Sequence, residues 1–186
     1  GELAPTVASA LLVLVLGLLF AGLFVVNPNE AKVLQLFGHY AGSAREPGLR
    51  WANPFYTKRK VSLRVVSFES GKLKVNDREG NPIEIAAVVV WKVVDTAEAM
   101  FHVDDYENFV HVQSESALRH VATRYNYDEG EEHEAGEITL RAGADVVADA
   151  LCAELQARVD LAGVKVEEAK LTHLAYAAEI AGAMLR

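Results

Sequence analysis

The longest hydrophobic stretch of the sequence lies near its start. Residues 7–28 carry no charged side chain, and nearly every position up to Val26 is apolar. About twenty residues in an α-helix, at ~1.5 Å each, reach ~30 Å, the thickness of the hydrocarbon core of a bilayer. The pattern therefore predicts an N-terminal transmembrane helix, with residues 1–28 as a membrane anchor. A cleaved secretory signal is the alternative, but signals have a basic start and a shorter apolar core, and Gly1-Glu2 supplies no basic residue.

Alternating apolar and polar positions predict strands in the next part of the chain. The predicted strands are residues 30–38, 61–68, 72–76 and 83–94, with a turn at 77–82. Residues 39–60 contain several glycines and prolines and are predicted to form a loop. The strand at 83–94 is apolar on one face by period 2, and Val88 and Val90 make its opposite face apolar too. Such a strand is covered on both faces, by helices of its own chain or by a neighbouring subunit, so Val88 and Val90 are candidate subunit-interface residues.

Helical periodicity dominates the second half of the chain. The predicted helices are a short one that begins at Asp95-Thr96, two amphipathic ones at 105–124 and 144–161, and an alanine-rich one at 175–186. A further strand is predicted between the last two helices, at 164–174. Strands and helices in this order predict an α+β domain behind the anchor, and the last helix is expected to be the start of a longer one.

The charge is distributed unevenly along the chain. The net charge of −8 at pH 7 is made up of +2 in residues 1–100 and −10 in residues 101–186. Six basic residues lie between Asn27 and Val61, and basic residues beside a membrane span favour the cytoplasmic side. We therefore expect a cytoplasmic domain at the cell (inner) membrane. The acidic second half is a poor nucleic-acid binder. Cys152 is the only cysteine, which excludes an intrachain disulfide and fits a reducing compartment.

Aromatic and basic residues follow one another closely in the predicted loop. Aromatic rings beside basic side chains are typical of a membrane interface, where the rings lie at headgroup level and the cations attract anionic lipids. The alternative is that the rings cover the core of the domain itself, and the two roles are compatible. The predicted membrane-interface residues are Trp51, Phe55, Tyr56, Lys58, Arg59 and Lys60.

No residue pattern predicts a catalytic, cofactor or metal site. Ser116 and His120 are spaced i, i+4 on one helix, but no third catalytic group or Gly-rich oxyanion loop accompanies them. His133 lies among glutamates and could bind a stray cation, although a solvated acidic loop explains this composition better. Glu115 and Arg119 are spaced for an ion pair within one helix, and a subunit contact is their alternative role. A membrane-tethered hydrolase is therefore the least favoured class.

Five motifs stand in order along the chain. They are Asn27-Pro28-Asn29-Glu30 after the apolar run, the loop EPGLRWANPF at 46–55, the strand, turn and strand from Val75 through Gly80-Asn81-Pro82 to Val93, the helix QSESALR at 113–119, and the tail LTHLAY at 171–176. With these motifs, residues 25–186 resemble the SPFH superfamily of stomatins, prohibitins, flotillins and HflK/C, and above all its bacterial stomatin-like branch. Ala178 departs from the pattern, because relatives often have proline there.

The resemblance implies a fold and its division into parts. The implied fold is an SPFH (band 7) domain, a small, strongly twisted sheet with packed helices. A membrane-proximal β-rich part would cover residues 29–95, a distal α/β part residues 96–175, and the start of a C-terminal helix residues 176–186.

The resemblance also implies a role without enzymatic activity and without a cofactor. Family members are scaffolds that assemble into rings or cages on a membrane, organise a membrane microdomain, and enclose or regulate membrane proteins such as a protease. The implied partners are the lipid bilayer, further copies of the chain, and in some cases a paralogue. A low-copy adaptor that recruits a single membrane partner is the alternative.

Overall fold

The chain folds into two compact units, Gly1–Arg64 and Val65–Arg186. The computed structural model describes residues 3–128 and 138–180, with side chains from Thr6 onward. His133 with its acidic neighbours and the last six residues of the predicted terminal helix lie outside the described residues. Strands and helices occur in both units, so the predicted α+β class is confirmed. The division expected at residue 95 falls inside the second unit.

The first unit combines one helix with two small antiparallel sheets. Its elements are α1 (Leu3–Ala21), β1 (Leu23–Val26), β2 (Glu30–Leu36), β3 (His39–Ala44), β4 (Gly48–Trp51) and β5 (Thr57–Ser62). β1 pairs with β4 in a two-stranded ribbon, and β3, β2 and β5 form a three-stranded sheet in that order. Ala31, Val33 and Val61 are almost completely buried and form the inner face of the three-stranded sheet. The predicted strand at 30–38 is thus confirmed.

The predicted loop at 39–60 is wrong, because β3, β4 and most of β5 lie there. The glycines that suggested a loop are part of short strands. Gly42 has φ +145° and lies where the pairing of β2 with β3 shifts register. Glycine inside a strand often marks such an irregularity, since the backbone adopts a conformation that other residues rarely reach.

The hydrophobic run at 7–28 does not form one continuous helix. α1 ends at Ala21, and Leu23–Val26 pair with Gly48–Trp51 as strand β1 instead. In the part of the chain that the structure describes, no helix is both long and apolar enough to cross a membrane. The predicted N-terminal transmembrane helix is therefore not supported. The last apolar residues, Leu23–Val26, are extended because they form hydrogen bonds with β4. The pattern of apolar positions within residues 7–28 gives no sign of this pairing.

The second unit is built around one long strand. Its elements are β6 (Val66–Glu69), β7 (Leu73–Asn76), β8 (Pro82–Val93), α2 (Thr96–Phe101), α3 (Tyr106–Ala122), α4 (Ala144–Val159), a 3-10 helix (Asp160–Ala162) and β9 (Val164–Tyr176). β7 pairs with the first part of β8, and β6 pairs with a later part. β9 pairs with nearly the whole length of β8, so it lies along the opposite edge of that strand. All these pairings are antiparallel.

The core of the second unit lies on one face of β8. Alternate residues from Ile83 to Val93 are buried there, together with apolar residues of α3 and α4 such as Leu118 and Leu151.

Aspartate side chains cap the N-termini of α2 and α3. The Asp95 side chain accepts hydrogen bonds from the N–H groups of Ala97 and Glu98, and the Asp105 side chain accepts one from the N–H group of Asn108. The predicted strands 72–76, 83–94 and 164–174 and the helices at 95, 105–124 and 144–161 are confirmed within two residues at most boundaries.

Candidate membrane-binding surface

One face of the β1–β4 ribbon is an exposed row of apolar side chains. Leu23 lies directly opposite Trp51, and Val25 directly opposite Leu49. Residues opposite one another in an antiparallel pair share a face, so these four side chains form one patch. Trp51 is 55% exposed and Leu49 67%. Contiguous exposed apolar side chains are uncommon on monomeric soluble proteins and mark interaction sites.

The exposed Trp51 ring is held at the junction of α1 and β1. Its Nε1 atom donates a hydrogen bond to the Leu19 carbonyl oxygen at 2.9 Å, and the Ala52 N–H donates to the Gly22 carbonyl at 3.0 Å. A Cβ atom on Gly22 would lie only 2.5 Å from the Ala52 carbonyl oxygen and would also collide with Trp51 Nε1. Glycine is therefore required at this position, and the ring keeps a fixed place while its outer surface stays open.

Two further aromatic rings lie at one end of the three-stranded sheet. Phe37 sits at the tip of the β2–β3 hairpin and is 85% exposed, and Phe55 in the loop before β5 is 66% exposed. Because Gln35 pairs with Thr57, the hairpin tip and the start of β5 lie at the same end of the sheet. The rings of Phe37 and Phe55 therefore extend this unit's exposed apolar surface.

The hairpin tip holds Phe37 in an unusual backbone conformation. Phe37 has φ +49° and the following Gly38 φ +89°. Positive φ at two successive residues is typical of the tight turns of hairpins, where asparagine or glycine is the common first residue. A bulky residue in the left-handed region costs about 1–2 kcal/mol. A ring that is exposed and strains the backbone gives no evident benefit to folding, which favours a role in binding.

The loop before β5 is organised by Asn53. The Asn53 side-chain oxygen accepts a hydrogen bond from the Phe55 N–H at 3.0 Å, and its carbonyl accepts one from the Tyr56 N–H at 2.9 Å. This turn leaves Phe55 exposed and Tyr56 half-buried. Three rings were predicted to lie at a membrane interface. Trp51 and Phe55 are exposed on the surface, and Tyr56 is half-buried.

The basic residues of β5 differ in their surroundings. Lys60 Nζ lies 2.9 Å from the buried Glu30 carboxylate, and Lys32 Nζ lies 3.3 Å from it. Lys60 in particular lowers the pKa of Glu30 to about 2, although burial opposes the shift. Lys58 Nζ lies 5.4 Å from the centre of the Phe24 ring, at cation–π distance, and Arg59 is exposed. The first unit as a whole has seven basic and three acidic residues, a net charge of +4.

Sequence reasoning missed four members of this surface. They are Leu23, Val25, Phe37 and Leu49. The first two were assigned to a membrane-spanning helix, and Leu49 becomes significant only through its pairing with Val25. A signal for Phe37 did exist, since a Phe-Gly pair follows an alternating strand and precedes a second polar segment.

The predicted subunit-interface residues lie on two other surfaces, both in the second unit. Val88 and Val90 are half-buried on the outer face of β8, where Lys170 and Glu168 of β9 lie opposite them. Glu115 and Arg119 are both exposed on α3, and no ion pair joins them among the contacts of the described residues. Their role in a subunit contact stays a prediction.

Ser116 and His120 each contact α4. The Ser116 hydroxyl oxygen accepts a hydrogen bond from the Arg158 guanidinium at 2.9 Å, and His120 Nδ1 lies 2.8 Å from the Glu154 carboxylate. His120 and Arg158 together lower the pKa of Glu154. These contacts join two helices, and this arrangement is a structural link. Among residues 3–128 and 138–180, no group of three or more His, Cys, Asp or Glu side chains is placed to hold a metal ion.

Comparison with known proteins identifies the family. Residues 24–186 match the family model of the SPFH domain / Band 7 family. The chain belongs to the SPFH superfamily. This SPFH chain is 29% identical over 120 residues to an uncharacterized protein of Archaeoglobus fulgidus, over 64% of its own length and 48% of the relative's. It is also 29% identical over 124 residues to a stomatin homolog of Pyrococcus horikoshii and 28% identical over 124 residues to one of Pyrococcus abyssi, in both cases over 66% of its length and 46% of the relative's.

The predicted superfamily is thus confirmed, and the relatives named as stomatin homologs agree with a stomatin-like sequence. This SPFH chain spans about half the length of the curated relatives it matches. Proteins of the stomatin-like family are generally membrane-associated scaffolds without enzymatic activity.

Proposed function

We propose that this SPFH protein is a scaffold that binds the surface of a bilayer through its first unit and assembles with further copies of itself into a ring or cage. The assembly organises a membrane microdomain. The observation that carries the proposal is the exposed surface of the first unit, in which aromatic and apolar side chains lie in the same small domain as a basic strand. Family membership supports the scaffold part of it.

The chemistry of this surface suits the interface between headgroups and acyl chains. Amphipathic Trp and Phe side chains bind there with the ring in the apolar layer, and nearby cations are attracted to anionic lipids. Trp51, Phe37 and Phe55 would supply the inserted rings, and Lys58, Arg59 and Lys60 the charge. The proposal therefore keeps the six predicted interface residues and adds Phe37 and the ribbon patch to them.

The second unit offers the surface for self-assembly. On the outer face of β8, Val88 and Val90 form a short apolar stripe bordered by charged side chains. Several of these charges are paired within the chain, for example Lys92 with Glu167 at 2.8 Å. Adjacent subunits of a ring use different faces of the same chain, so this stripe and the exposed Glu115 and Arg119 on α3 are suited to a contact of that kind.

The remaining partners follow from the scaffold role. We propose that the assembly encloses or regulates membrane proteins, such as a protease, that it can include a paralogue, and that the domain lies on the cytoplasmic side of the cell (inner) membrane. The second unit carries 11 basic and 23 acidic residues, a net charge of −12, which disfavours nucleic acid as a partner.

Copy number tests the scaffold proposal. The protein would be extracted gently from its native membrane at full length and viewed by electron microscopy. Closed rings or cages of many subunits are expected. Particles of one or two subunits would contradict the scaffold and favour a low-copy adaptor that recruits a single membrane partner.

A further inference from the structure

A groove in the first unit combines apolar walls with arginine side chains. It has a volume of about 400 Å³ and lies between the β1–β4 ribbon and the strands β2 and β3. Phe24, Leu34 and Trp51 supply apolar lining, and Arg45, Arg50 and Glu46 supply charged lining. Such a lining matches an amphiphile better than it matches either a purely polar or a purely apolar ligand.

The strand register explains why these side chains converge. Phe24 lies opposite Arg50 in the ribbon, so both point to the same face. Leu34 of β2 lies opposite Lys58 of β5, and Lys58 Nζ lies 5.4 Å from the centre of the Phe24 ring. Lys58 therefore adds a third cation beside the groove.

The charge at the groove is positive. Its lining holds two guanidinium groups and one carboxylate, that of Glu46, which pairs with Arg50. The side chain of Glu46 is 80% exposed, and exposed ion pairs contribute little to stability. An incoming anion could thus replace Glu46 on Arg50 while Glu46 turns to solvent.

We propose that this groove binds the headgroup of one anionic phospholipid. The phosphate contacts Arg45 and Arg50, since guanidinium groups bind phosphate through paired, charge-assisted hydrogen bonds. The glycerol and the first acyl carbons pack against Phe24 and Leu34. A zwitterionic headgroup binds less well, because its ammonium group would face the same cations. The inference rests on the proposed membrane-binding function, because the groove and the exposed surface belong to the same unit.

A soluble lipid separates binding in the groove from binding to a membrane. The 186-residue chain is titrated with dihexanoyl phosphatidylglycerol below its micelle concentration, and parallel titrations use dihexanoyl phosphatidylcholine and inorganic phosphate. Calorimetry or NMR gives the dissociation constants. We expect phosphatidylglycerol to bind about tenfold more tightly than either of the other two, since only it offers both an excess negative charge and acyl carbons.

Two variants and a matched control locate the site. Arg50→Gln is expected to weaken phosphatidylglycerol binding about tenfold. Arg64→Gln removes the same charge from an exposed position of the same unit that does not line the groove, and it should change binding less than about twofold. Ala44 lines the groove and lies opposite Lys32, on the same face of the sheet as Leu34, so Ala44→Phe fills the groove without changing the charge and should also abolish binding. Thermal melting checks that each variant folds, and Arg50→Gln tests the proposal if Ala44→Phe does not fold.

The results distinguish this inference from the membrane-binding function on which it rests. Equal loss from Arg50→Gln and Arg64→Gln, or no preference for phosphatidylglycerol over inorganic phosphate, would overturn the groove as a lipid site. If the wild-type chain binds vesicles but no soluble phosphatidylglycerol, the groove proposal fails alone. If it binds soluble phosphatidylglycerol but no vesicles, the membrane-binding surface fails and the groove stands.

Discussion

At the scale of single residues, Glu30 connects the basic surface to the fold. Its carboxylate is buried at the start of β2, and Lys60, Lys32 and Asn27 surround it. Without Glu30, the ammonium groups of Lys32 and Lys60 would lie close together with nothing to separate their charges, since these two residues pair directly across β2 and β5. Glu30 thus allows this unit to keep its cations on adjacent strands.

The lowered pKa of Glu30 predicts a pH-dependent stability. Lys60 is the main cause of the shift from the ordinary 4.5 to about 2 in the folded state. A carboxyl whose pKa is lower in the folded state stabilises the fold fully above its unfolded pKa, and this contribution is lost as the pH falls through the folded pKa. Glu30→Gln should therefore lower the melting temperature at pH 7, and its difference from wild type should shrink between about pH 4.5 and pH 2.

A control variant makes this prediction specific. Glu46→Gln removes an acid from an exposed ion pair of the same unit and should change the melting temperature little at any pH. A Glu30→Gln variant that melts like wild type at pH 7 would show that the Glu30 cluster does not hold β2 to β5.

The exposed rings of Phe37 and Phe55 give a second prediction at this scale. Replacing both with serine should weaken binding of the chain to vesicles containing phosphatidylglycerol by about tenfold or more, because each ring buried in the interface contributes roughly 1 kcal/mol. Vesicle flotation measures the bound fraction. Val112→Ser changes an exposed apolar residue of the second unit and should leave binding unchanged. Equal binding by all three proteins would remove the rings from the membrane contact.

At the scale of elements, the two faces of β8 differ in how deeply their side chains are buried. Its inner face is sealed by the helices of the second unit, and its outer face stays half-buried. Trp91 on the inner face is 2% exposed and packs edge-on against Tyr106, with ring centres 6.2 Å apart. The indole N–H of Trp91 has no hydrogen-bond partner among the residues that the structure describes.

The surroundings of Trp91 predict opposite outcomes for two substitutions. Trp91→Asp should prevent folding of the second unit, because an unpaired buried charge costs several kcal/mol. Trp91→Phe should cost much less, since it keeps most of the apolar contact and removes a buried N–H group for which the described residues supply no hydrogen-bond partner. Chemical denaturation compares the free energies of unfolding. Similar, small losses in both variants would contradict the burial of this side chain.

The outer face of β8 predicts a different effect for Val90→Asp. Because Val90 is half-buried, we expect this variant to fold, as judged by circular dichroism and melting, but to form smaller particles than wild type. Val146→Asp places the same charge on an exposed position of α4 and serves as the control. If Val90→Asp assembles as wild type does, the outer face of β8 is not a subunit interface.

The elements also show which features a single sequence reveals. β8 and the helices α3 and α4 could be predicted because they are long and their apolar residues recur with a clear period. β1 and β4 could not, since each has four residues and their conformation depends on pairing across about 25 positions of sequence. Leu23–Val26 are as apolar as the helix before them, and the hydrogen bonds to Gly48–Trp51 distinguish the two.

Only part of the candidate surface could be predicted from the sequence. Trp51, Phe55 and the basic residues of β5 stand close together in the chain and could be grouped by composition. Phe37 joins them only because β2 and β5 are antiparallel and bring Gln35 beside Thr57. The groove likewise depends on the pairing of Phe24 with Arg50 and could not be read from spacing along the chain.

At the scale of the whole molecule, the two units differ in charge and in the surfaces they expose. The first has a net charge of +4 and carries the aromatic surface, and the second has a net charge of −12 and carries the outer face of β8. This division suits a scaffold in which one unit contacts lipid and the other contacts neighbouring subunits. An acidic unit is repelled by anionic headgroups, so lipid contact is expected through the first unit.

The two tryptophans provide the most direct measurement of membrane binding through the first unit. Trp51 is exposed on the proposed surface and Trp91 is buried in the other unit, so only Trp51 should sense lipid. Tryptophan emission is recorded with vesicles of phosphatidylglycerol and phosphatidylcholine, the latter brominated near the top of its acyl chains. We expect emission at shorter wavelengths and strong quenching by bromine for the wild-type chain, and neither for Trp51→Phe. Wild-type protein that floats with the vesicles while its emission stays unshifted and unquenched would show that it binds through another surface, and would contradict the assignment.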